Sequence, residues 1–261
     1  MTALGRWTEA AHRLLDHIES TQQEVIETAA RWSADAIGSG GLVHLFGSGH
    51  SRIPVEEMFP RYGSFPGFHP MVELSMTFHT QVVGTNGQPQ AMFIERVEGL
   101  AEVILSGFDF RENDVMMVFS ASGRAAVPVE IALGAKDRAL KVVAVTSIAE
   151  STASTATHSS GMRLFEIADL VIDIGTPPGD ALVTLDGLEA PVGPGSTLAN
   201  AAVANEIKVR TAELLVAAGK MPPVLTSASL VGEEESRISF ETAYADHARR
   251  LARALVGRGI S

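Results

Sequence analysis

The sequence of 261 residues contains no cysteine, which excludes disulfide bonds, thiol catalysis, iron–sulfur clusters and cysteine-built zinc sites. It also has no run of about 18 apolar residues, so we predict no membrane-spanning helix and no membrane partner. Basic residues are scarce: 20 lysines and arginines stand against 31 aspartates and glutamates, which gives a formal net charge of −11. This charge disfavours nucleic acids as partners, although backbone N–H groups at helix N-termini still bind small anions.

The composition favours a folded protein rather than a disordered one. Hydrophobic residues make up 46% of the chain and charged residues 20%, which is enough apolar side chain to bury a large core. Near the N-terminus, Glu9, Asp16 and Glu19 interrupt the apolar stretch that a signal peptide requires, so we expect a cytoplasmic protein. Since no internal repeat or clear linker is visible, we predict a single domain over residues 1–261.

Short apolar runs alternate with helical patterns along the chain. The runs predicted as buried strands are 42–46, 115–119, 142–145 and 170–174, with a further edge strand at 181–185. The segments predicted as helices are 7–36, 91–105, 125–137, 196–218 and 238–256, where Gln22 interrupts the apolar stripe of the first and Ser196 or Thr197 caps the fourth. This alternation is typical of βαβ units, so we predict an α/β fold in which helices cover both faces of a central parallel sheet.

The ends of this predicted fold differ from its core. The core spans about residues 37–220, and the segment 221–261 follows it as a C-terminal extension. The long N-terminal helix over 7–36 precedes the first strand and needs a surface to pack on. A second subunit supplies such a surface, so we predict that this helix takes part in oligomerisation.

Glycine and serine cluster after three of the predicted strands, at 47–51, 120–124 and 146–147. The carboxyl ends of parallel strands form one edge of a sheet, where open α/β folds bind ligands, so we expect these loops to meet. Their backbone N–H groups and small hydroxyl side chains form a nest that suits phosphate oxygens. The alternative is that glycine and serine serve only as turn and cap residues. The candidate anion-binding residues are Ser48, Gly49, His50, Ser51, Ser120, Ser122, Gly123, Arg124, Thr146 and Ser147.

Several familiar motifs are missing from these loops. Arg52 stands where the third glycine of a dinucleotide-binding fingerprint would lie. Neither a P-loop nor a G-x-S-x-G nucleophile elbow occurs anywhere in the sequence. No H-E-x-x-H or other paired-histidine spacing is present, so we predict neither a catalytic metal nor another cofactor.

The stretch LVHLFGSGHS, followed by VMMVFSASGR and then by IALGAKDRALKVVAVTS, resembles the SIS (sugar isomerase) domain, a phosphosugar-binding family. The shared pattern is a G-x-G-x-S loop, an [ST]-x-S-G loop, a helix containing an Ala-Lys pair and a strand ending in Thr-Ser. The resemblance covers about residues 7–220. It implies a three-layer flavodoxin-like sandwich, assembled as a homodimer or homotetramer with active sites near subunit boundaries. The residues that it assigns to a sugar phosphate are Ser51, Ser120, Ser122 and Thr146 or Ser147.

Two further segments resemble catalytic stretches of SIS enzymes. Glu57 precedes an R-Y-G ending, as a catalytic glutamate does in sedoheptulose 7-phosphate isomerases and, with a variant ending, in N-acetylmuramic acid 6-phosphate etherases. The stretch V-E-G-L-A-E at 97–102 resembles the V-E-G-A-E segment of the etherases, which implies Glu98 or Glu102 as a second functional glutamate, with Glu102 favoured. The alternatives are a solvated helix face for Glu57 and an exposed acidic stripe for Glu95, Glu98 and Glu102.

Two carboxylates suit chemistry beside a sugar carbonyl. The carbonyl acidifies the proton on the adjacent carbon, and a glutamate with a raised pKa removes that proton near neutral pH. Loss of a group from the next carbon then gives elimination, whereas return of the proton to a neighbouring carbon gives isomerisation. We predict a lyase that removes water from N-acetylglucosamine 6-phosphate or a related N-acetylhexosamine 6-phosphate, because the G-T-S-G-R loop and the P-P pair of the etherases are absent. A phosphosugar isomerase and a non-catalytic phosphosugar sensor are the open alternatives.

Overall fold

Five parallel strands form the central sheet of the protein, which the computed structural model describes over residues 2–77 and 87–255. The strands are β1 (Val43–Gly47), β2 (Phe68–Met71), β3 (Val115–Phe119), β4 (Lys141–Thr146) and β5 (Leu170–Asp173). In space they follow the order β2-β1-β3-β4-β5, and each neighbouring pair is parallel. This arrangement confirms the predicted α/β fold and has the strand order of flavodoxin-like proteins.

Helices and one small ribbon surround the sheet. The helices are α1 (Arg6–Thr21), α2 (Gln23–Gly38), α3 (Arg52–Met58), α4 (Leu74–Thr77), α5 (Gly87–Ile94), α6 (Leu100–Leu105), α7 (Ala126–Asp137), α8 (Ile148–Thr152), α9 (Leu164–Ile167), α10 (Ser196–Ala217), α11 (Ala228–Val231) and α12 (Glu233–Leu255). The ribbon pairs β6 (Ala181–Val183) with β7 (Val192–Pro194) in antiparallel fashion. Within the described ranges, no helix combines the length and the apolarity that crossing a membrane requires.

The sheet is apolar on both faces, which is why helices cover both of them. In β3, Val115, Met117 and Phe119 join one core together with side chains of α2, α3 and α10. Met116 and Val118 of the same strand join a second core beneath α6, α7 and α9. Because side chains alternate between the two faces of a strand, one continuous apolar run serves both cores. The result is the predicted three-layer sandwich.

The helix predicted over 7–36 is two helices in the structure. Between α1 and α2, Gln22 departs from helical geometry, with φ −109° and ψ 3°. Its side-chain oxygen accepts a hydrogen bond of 3.0 Å from the backbone N–H of Asp173, at the end of β5. Gln22, which interrupts the apolar stripe, therefore also separates α1 from α2, and its side chain is hydrogen-bonded to the end of β5. The role of this N-terminal segment in oligomerisation stays a prediction.

Two other elements differ from the sequence prediction. The helix predicted over 91–105 is divided into α5 and α6 by a turn in which Gly99 has φ +88°, a left-handed conformation that suits glycine. The strand β2 escapes prediction because its sequence, F-H-P-M, is short and contains a proline. Proline is tolerated there because β2 lies at the edge of the sheet.

A buried polar chain lies at the amino edge of the sheet, opposite the predicted ligand loops. The carboxylate of Asp114 accepts hydrogen bonds from the backbone N–H of Leu42 (2.7 Å) and from Nε2 of His44 (3.1 Å). Nδ1 of His44 and Nδ1 of His69 lie 2.9 Å apart, so the two rings form the next hydrogen bond of the chain. The ring of His247, on α12, lies 6.3 Å from the ring of His69. The C-terminal helix is therefore packed against a pair of buried, hydrogen-bonded histidines.

We expect the protein to lose stability as the pH falls from about 6.5 towards 3. Burial, followed by the charges of His44 and His247, lowers the pKa of His69 to about 3, whereas a histidine in the unfolded chain titrates near 6.5. Between these values the unfolded state binds the additional proton. The free energy of unfolding therefore falls by up to about 1.4 kcal/mol per pH unit for this histidine. Urea unfolding at a series of pH values measures the slope.

Two variants identify the group responsible for that slope. His69→Gln keeps a polar side chain but removes the titrating ring, so its stability should depend less steeply on pH. His12→Gln replaces an exposed histidine of α1 and should leave the slope unchanged. If His69→Gln and the wild-type protein have the same slope across this range, His69 is not the group that titrates.

Candidate functional site

The strand order reverses between β1 and β3, and in this class of fold ligands bind in the crevice at that point. Gly47 at the end of β1 is paired with Phe119 at the end of β3, so the loops that follow the two strands begin side by side. Together with α5 they line a cavity of about 250 Å³. Its lining residues are Ser48, Gly49, His50, Ser51, Gln88, Ala91, Met92, Glu95, Ser120, Ala121, Ser122, Ala125, Glu150 and Asp180.

Two glycines allow these loops their shape. A Cβ atom on Gly47 would lie 2.1 Å from the carbonyl oxygen of Ser51, so the turn after β1 folds back only over a glycine. Gly123 has φ +59°, and a Cβ atom there would lie 3.0 Å from Oγ1 of Thr146. Gly123 therefore allows the second loop to pack closely against Thr146 at the end of β4. Neither Gly123 nor Arg124, which follows it, is among the residues that line the cavity.

Thr146 and Ser147 are fully buried and shape the loops instead of lining the cavity. Oγ1 of Thr146 donates a hydrogen bond of 3.1 Å to the carbonyl of Ala121 in the second loop. Oγ of Ser147 donates to the carbonyl of Thr176 (2.6 Å) and accepts from the backbone N–H of Glu150 (3.1 Å). Both hydroxyl groups are thus engaged with backbone, and they fix the positions of residues that do face the cavity.

Glu95 is the carboxylate that reaches the first loop. It follows α5 in a turn rather than on a continuing helix, and its carbonyl accepts a hydrogen bond of 2.9 Å from the N–H of Val127. Its Oε2 accepts a hydrogen bond of 2.7 Å from Oγ of Ser48. Sequence reasoning misses Glu95 because the regular spacing of three glutamates on one supposed helix gives no reason to choose it.

Two further carboxylates line the cavity but are engaged with neighbouring loops. Glu150 accepts a hydrogen bond from the backbone N–H of Gly179. Asp180, at φ +65°, accepts hydrogen bonds from both the backbone N–H and Oγ of Ser196, each at 2.7 Å. Asp180 therefore caps α10, and the prediction that Ser196 or Thr197 caps this helix is wrong.

Glu57 lies on α3, outside the set of residues that line the cavity. Its carboxylate accepts a hydrogen bond from Asn205 on α10 (3.0 Å) and pairs with Arg61, while Lys208 donates to its backbone carbonyl (3.1 Å). Burial raises the pKa of the Glu57 carboxyl, but the hydrogen bonds from Asn205 and Arg61 and the charges of Arg61 and Lys208 outweigh it, so the pKa lies below its ordinary value. Such a carboxylate is a weaker base, in contrast with the raised pKa expected from the sequence.

Glu98 and Glu102 also lie away from the cavity. Glu98 is exposed and accepts a hydrogen bond of 2.7 Å from the backbone N–H of Ser159. Glu102 pairs with Arg138 on α7 at 2.8 Å, and 65% of its side chain is exposed. Of the three glutamates between residues 95 and 102, the structure therefore brings only Glu95 to the ligand loops.

Comparison with known proteins agrees with this fold. The sequence profile of the SIS domain matches residues 6–147, and the chain belongs to the SIS-domain family of phosphosugar-binding proteins. It is 32% identical over 246 residues to a UPF0309 protein of Oceanobacillus iheyensis, covering 94% of this chain and 98% of that protein. A UPF0309 protein of Streptomyces coelicolor is 34% identical over 233 residues, covering 88% and 90% of the two chains.

Among solved structures, a phosphoheptose isomerase from Francisella tularensis has the same fold. It matches with a TM-score of 0.52 and 14% sequence identity, over 81% of this chain and 98% of that chain. At this level of identity the likeness extends to the fold and not to the reaction.

We expect Gly47→Ala to destabilise the protein more than Gly49→Ala does. The methyl group of Gly47→Ala meets a backbone carbonyl that cannot move without opening the turn, which should lower the free energy of unfolding by about 3 kcal/mol or more. Gly49 also has a positive φ, of +56°, but no atom lies within 4 Å of the point that a Cβ atom would occupy, so alanine there should cost only about 1–2 kcal/mol. Urea unfolding compares the two. If Gly47→Ala and Gly49→Ala lose the same free energy of unfolding, the first loop is not closely packed around Gly47.

Proposed function

We propose that the cavity at the ends of β1 and β3 binds a sugar monophosphate. Its support is the convergence of two hydroxyl-bearing loops, represented by Ser51 and Ser122, on one cavity. Ala125, which also lines the cavity, immediately precedes the 12-residue helix α7, whose amino end adds the positive end of a helix dipole. Hydroxyl groups and a helix N-terminus bind a phosphate without any basic side chain, which is consistent with the acidic composition of the chain.

In this proposal Glu95 is the group that moves a proton. Among the described residues its carboxylate accepts one side-chain hydrogen bond, from Ser48 through Oε2, which leaves Oε1 for a substrate. Glu150 and Asp180, by contrast, accept hydrogen bonds from backbone groups that fix neighbouring loops. The firm pairing of Glu57 with Asn205 suits a positioning residue that holds α3 against α10.

The reaction we propose is the elimination of water from an N-acetylhexosamine 6-phosphate, with N-acetylglucosamine 6-phosphate as the first substrate to test. In the open-chain sugar, the carboxylate of Glu95 removes the proton from the carbon beside the aldehyde. The electron pair of that bond forms a carbon–carbon double bond as the hydroxyl on the next carbon leaves. The protonated carboxyl gives its proton to the departing hydroxyl, so water and an unsaturated sugar phosphate are the products. The Ser48 hydroxyl orients the carboxylate throughout.

The amino sugar is favoured by the resemblance of the 97–102 segment to that of the etherases, which act on an N-acetylated sugar 6-phosphate. Elimination is favoured over isomerisation by the same resemblance. Both reactions start with the same proton abstraction, so the identity of the product separates them.

Glu95→Gln should retain binding of N-acetylglucosamine 6-phosphate and lose turnover by about 10²-fold to 10⁴-fold, because the amide cannot accept the proton. Mass spectrometry of the product distinguishes the reactions: loss of water indicates the lyase, and an isomer of unchanged mass indicates an isomerase. Binding by the wild-type protein without any turnover indicates a sensor.

Matched variants test the other glutamates in the same assay. If Glu57→Gln, Glu98→Gln or Glu102→Gln abolishes turnover while Glu95→Gln remains active, the assignment of the proton transfer to Glu95 is wrong. Glu112→Gln, which changes an exposed residue before β3, should be as active as the wild-type protein.

Ser122→Ala should weaken binding of the sugar phosphate by about 10-fold to 100-fold, the effect of removing one hydrogen bond to a charged group. Titration calorimetry in the Glu95→Gln background measures binding without turnover. Ser20→Ala, on the exposed face of α1, should bind like its parent. Unchanged affinity in Ser122→Ala would place the phosphate elsewhere.

A further inference from the structure

Helix α5 and the turn after it present one face to the candidate cavity. Ala91, Met92 and Glu95 all line the cavity, and their spacing of three and four positions places them on one side of a helix. The N–H of Glu95 donates a hydrogen bond of 3.0 Å to the carbonyl of Ala91, so Glu95 lies one helical turn beyond Ala91 although α5 itself ends at Ile94. The side chain of Met92 is therefore a direct neighbour of the carboxylate that we assign to proton transfer.

Met92 is an apolar side chain that the core does not use. Within the described ranges, neither apolar core includes it, and it is 40% exposed. Among the described residues that line the cavity, it is the one apolar side chain longer than alanine. The next residue, Phe93, is 71% exposed and does not line the cavity. Helix α5 thus directs one large apolar side chain into the cavity and the next one away from it.

Two alanines from the second loop extend this apolar surface. Ala121 and Ala125 both line the cavity, and Ala125 directly precedes α7. The N–H of Val127 donates to the carbonyl of Glu95 at 2.9 Å, which holds the first turn of α7 against the end of α5. Because alanine side chains are short, they leave space for part of a ligand beside Met92.

An apolar surface next to the reacting carbon has no counterpart in a sugar phosphate that carries only hydroxyl groups. Hydroxyl, carbonyl and phosphate groups lose hydration against a thioether and gain no hydrogen bond from it. The methyl group of an N-acyl substituent does gain from this contact, because burial of apolar surface is favourable. In the proposed reaction, the N-acyl substituent is attached to the carbon from which Glu95 removes the proton. It must therefore lie beside the Glu95 carboxylate, where Met92 lies.

We propose that Met92 is the residue that determines specificity for the N-acyl group of the substrate, with Ala91 and Ala125 completing the surface that contacts its methyl group. The inference rests on the proposed function, because the reacting carbon fixes the position of the acyl group relative to Glu95. It assigns recognition of that group to a side chain that takes no part in the proton transfer. The cavity should consequently bind a sugar phosphate with a hydroxyl at the same carbon less tightly.

Titration calorimetry in the Glu95→Gln background, with N-acetylglucosamine 6-phosphate and glucose 6-phosphate as ligands, measures the contribution of the acyl group without turnover. We expect the N-acetylated ligand to bind about 10-fold more tightly, as small apolar groups in a fitted pocket do. Met92→Gln, of similar size but polar, should weaken binding of this ligand by about 3-fold to 10-fold, since one buried methyl group alone contributes about 4-fold. Its affinity for glucose 6-phosphate should not change. Met92→Leu, which stays apolar, should keep the preference.

Phe93→Gln supplies the matched control, because it makes the same kind of change at the adjacent position outside the cavity. It should keep both affinities, and the melting temperatures of all variants verify that they fold. If the parent binds the two ligands equally, or if Met92→Gln changes both affinities alike or neither, the assignment to Met92 is wrong while the phosphate site stands. If the parent binds neither sugar phosphate, the proposed function is wrong, and this inference with it.

Discussion

The parallel pairing of β1 with β3 is the contact on which the candidate site depends. It places Gly47 opposite Phe119, so two loops separated by about seventy residues of sequence start from adjacent points of one edge. The intervening chain forms β2 on the far side of β1 and then returns through α5, which brings Glu95 over the first loop. The reversal of strand order thus gives both the crevice and the carboxylate that lines it.

Much of this framework could be predicted because its signals are local. A run such as VMMVF is apolar at every position, and only a strand covered on both faces buries such a run completely. Some of the predicted loop residues line the cavity, since the end of a strand fixes where its loop begins, whereas Gly123, Thr146 and Ser147 do not. Ser48 and Ser122 line the cavity for that reason.

The remaining features depend on contacts that a one-dimensional pattern does not contain. Glu95 faces the cavity because α5 ends at Ile94, and its carbonyl is held by Val127, thirty-two positions later. The lowered pKa of Glu57 has the same kind of origin, since Asn205 and Lys208 reach it from α10. Motif similarity favours Glu57, Glu98 and Glu102 instead of Glu95. Neither helical spacing nor motif similarity shows where a helix ends or which distant side chain contacts a given glutamate.

Helix α12 is hydrogen-bonded to the segments that lead into β1 and β3. Arg250 donates hydrogen bonds to the carbonyls of Ile37 (2.8 Å) and Gly41 (3.0 Å), which lie just before β1. The carbonyl of Ala254 accepts a hydrogen bond of 2.6 Å from the N–H of Asp109, on the segment that leads to β3. During synthesis on the ribosome, the carbonyl of Gly41 therefore gains its Arg250 partner only after α12 has been translated.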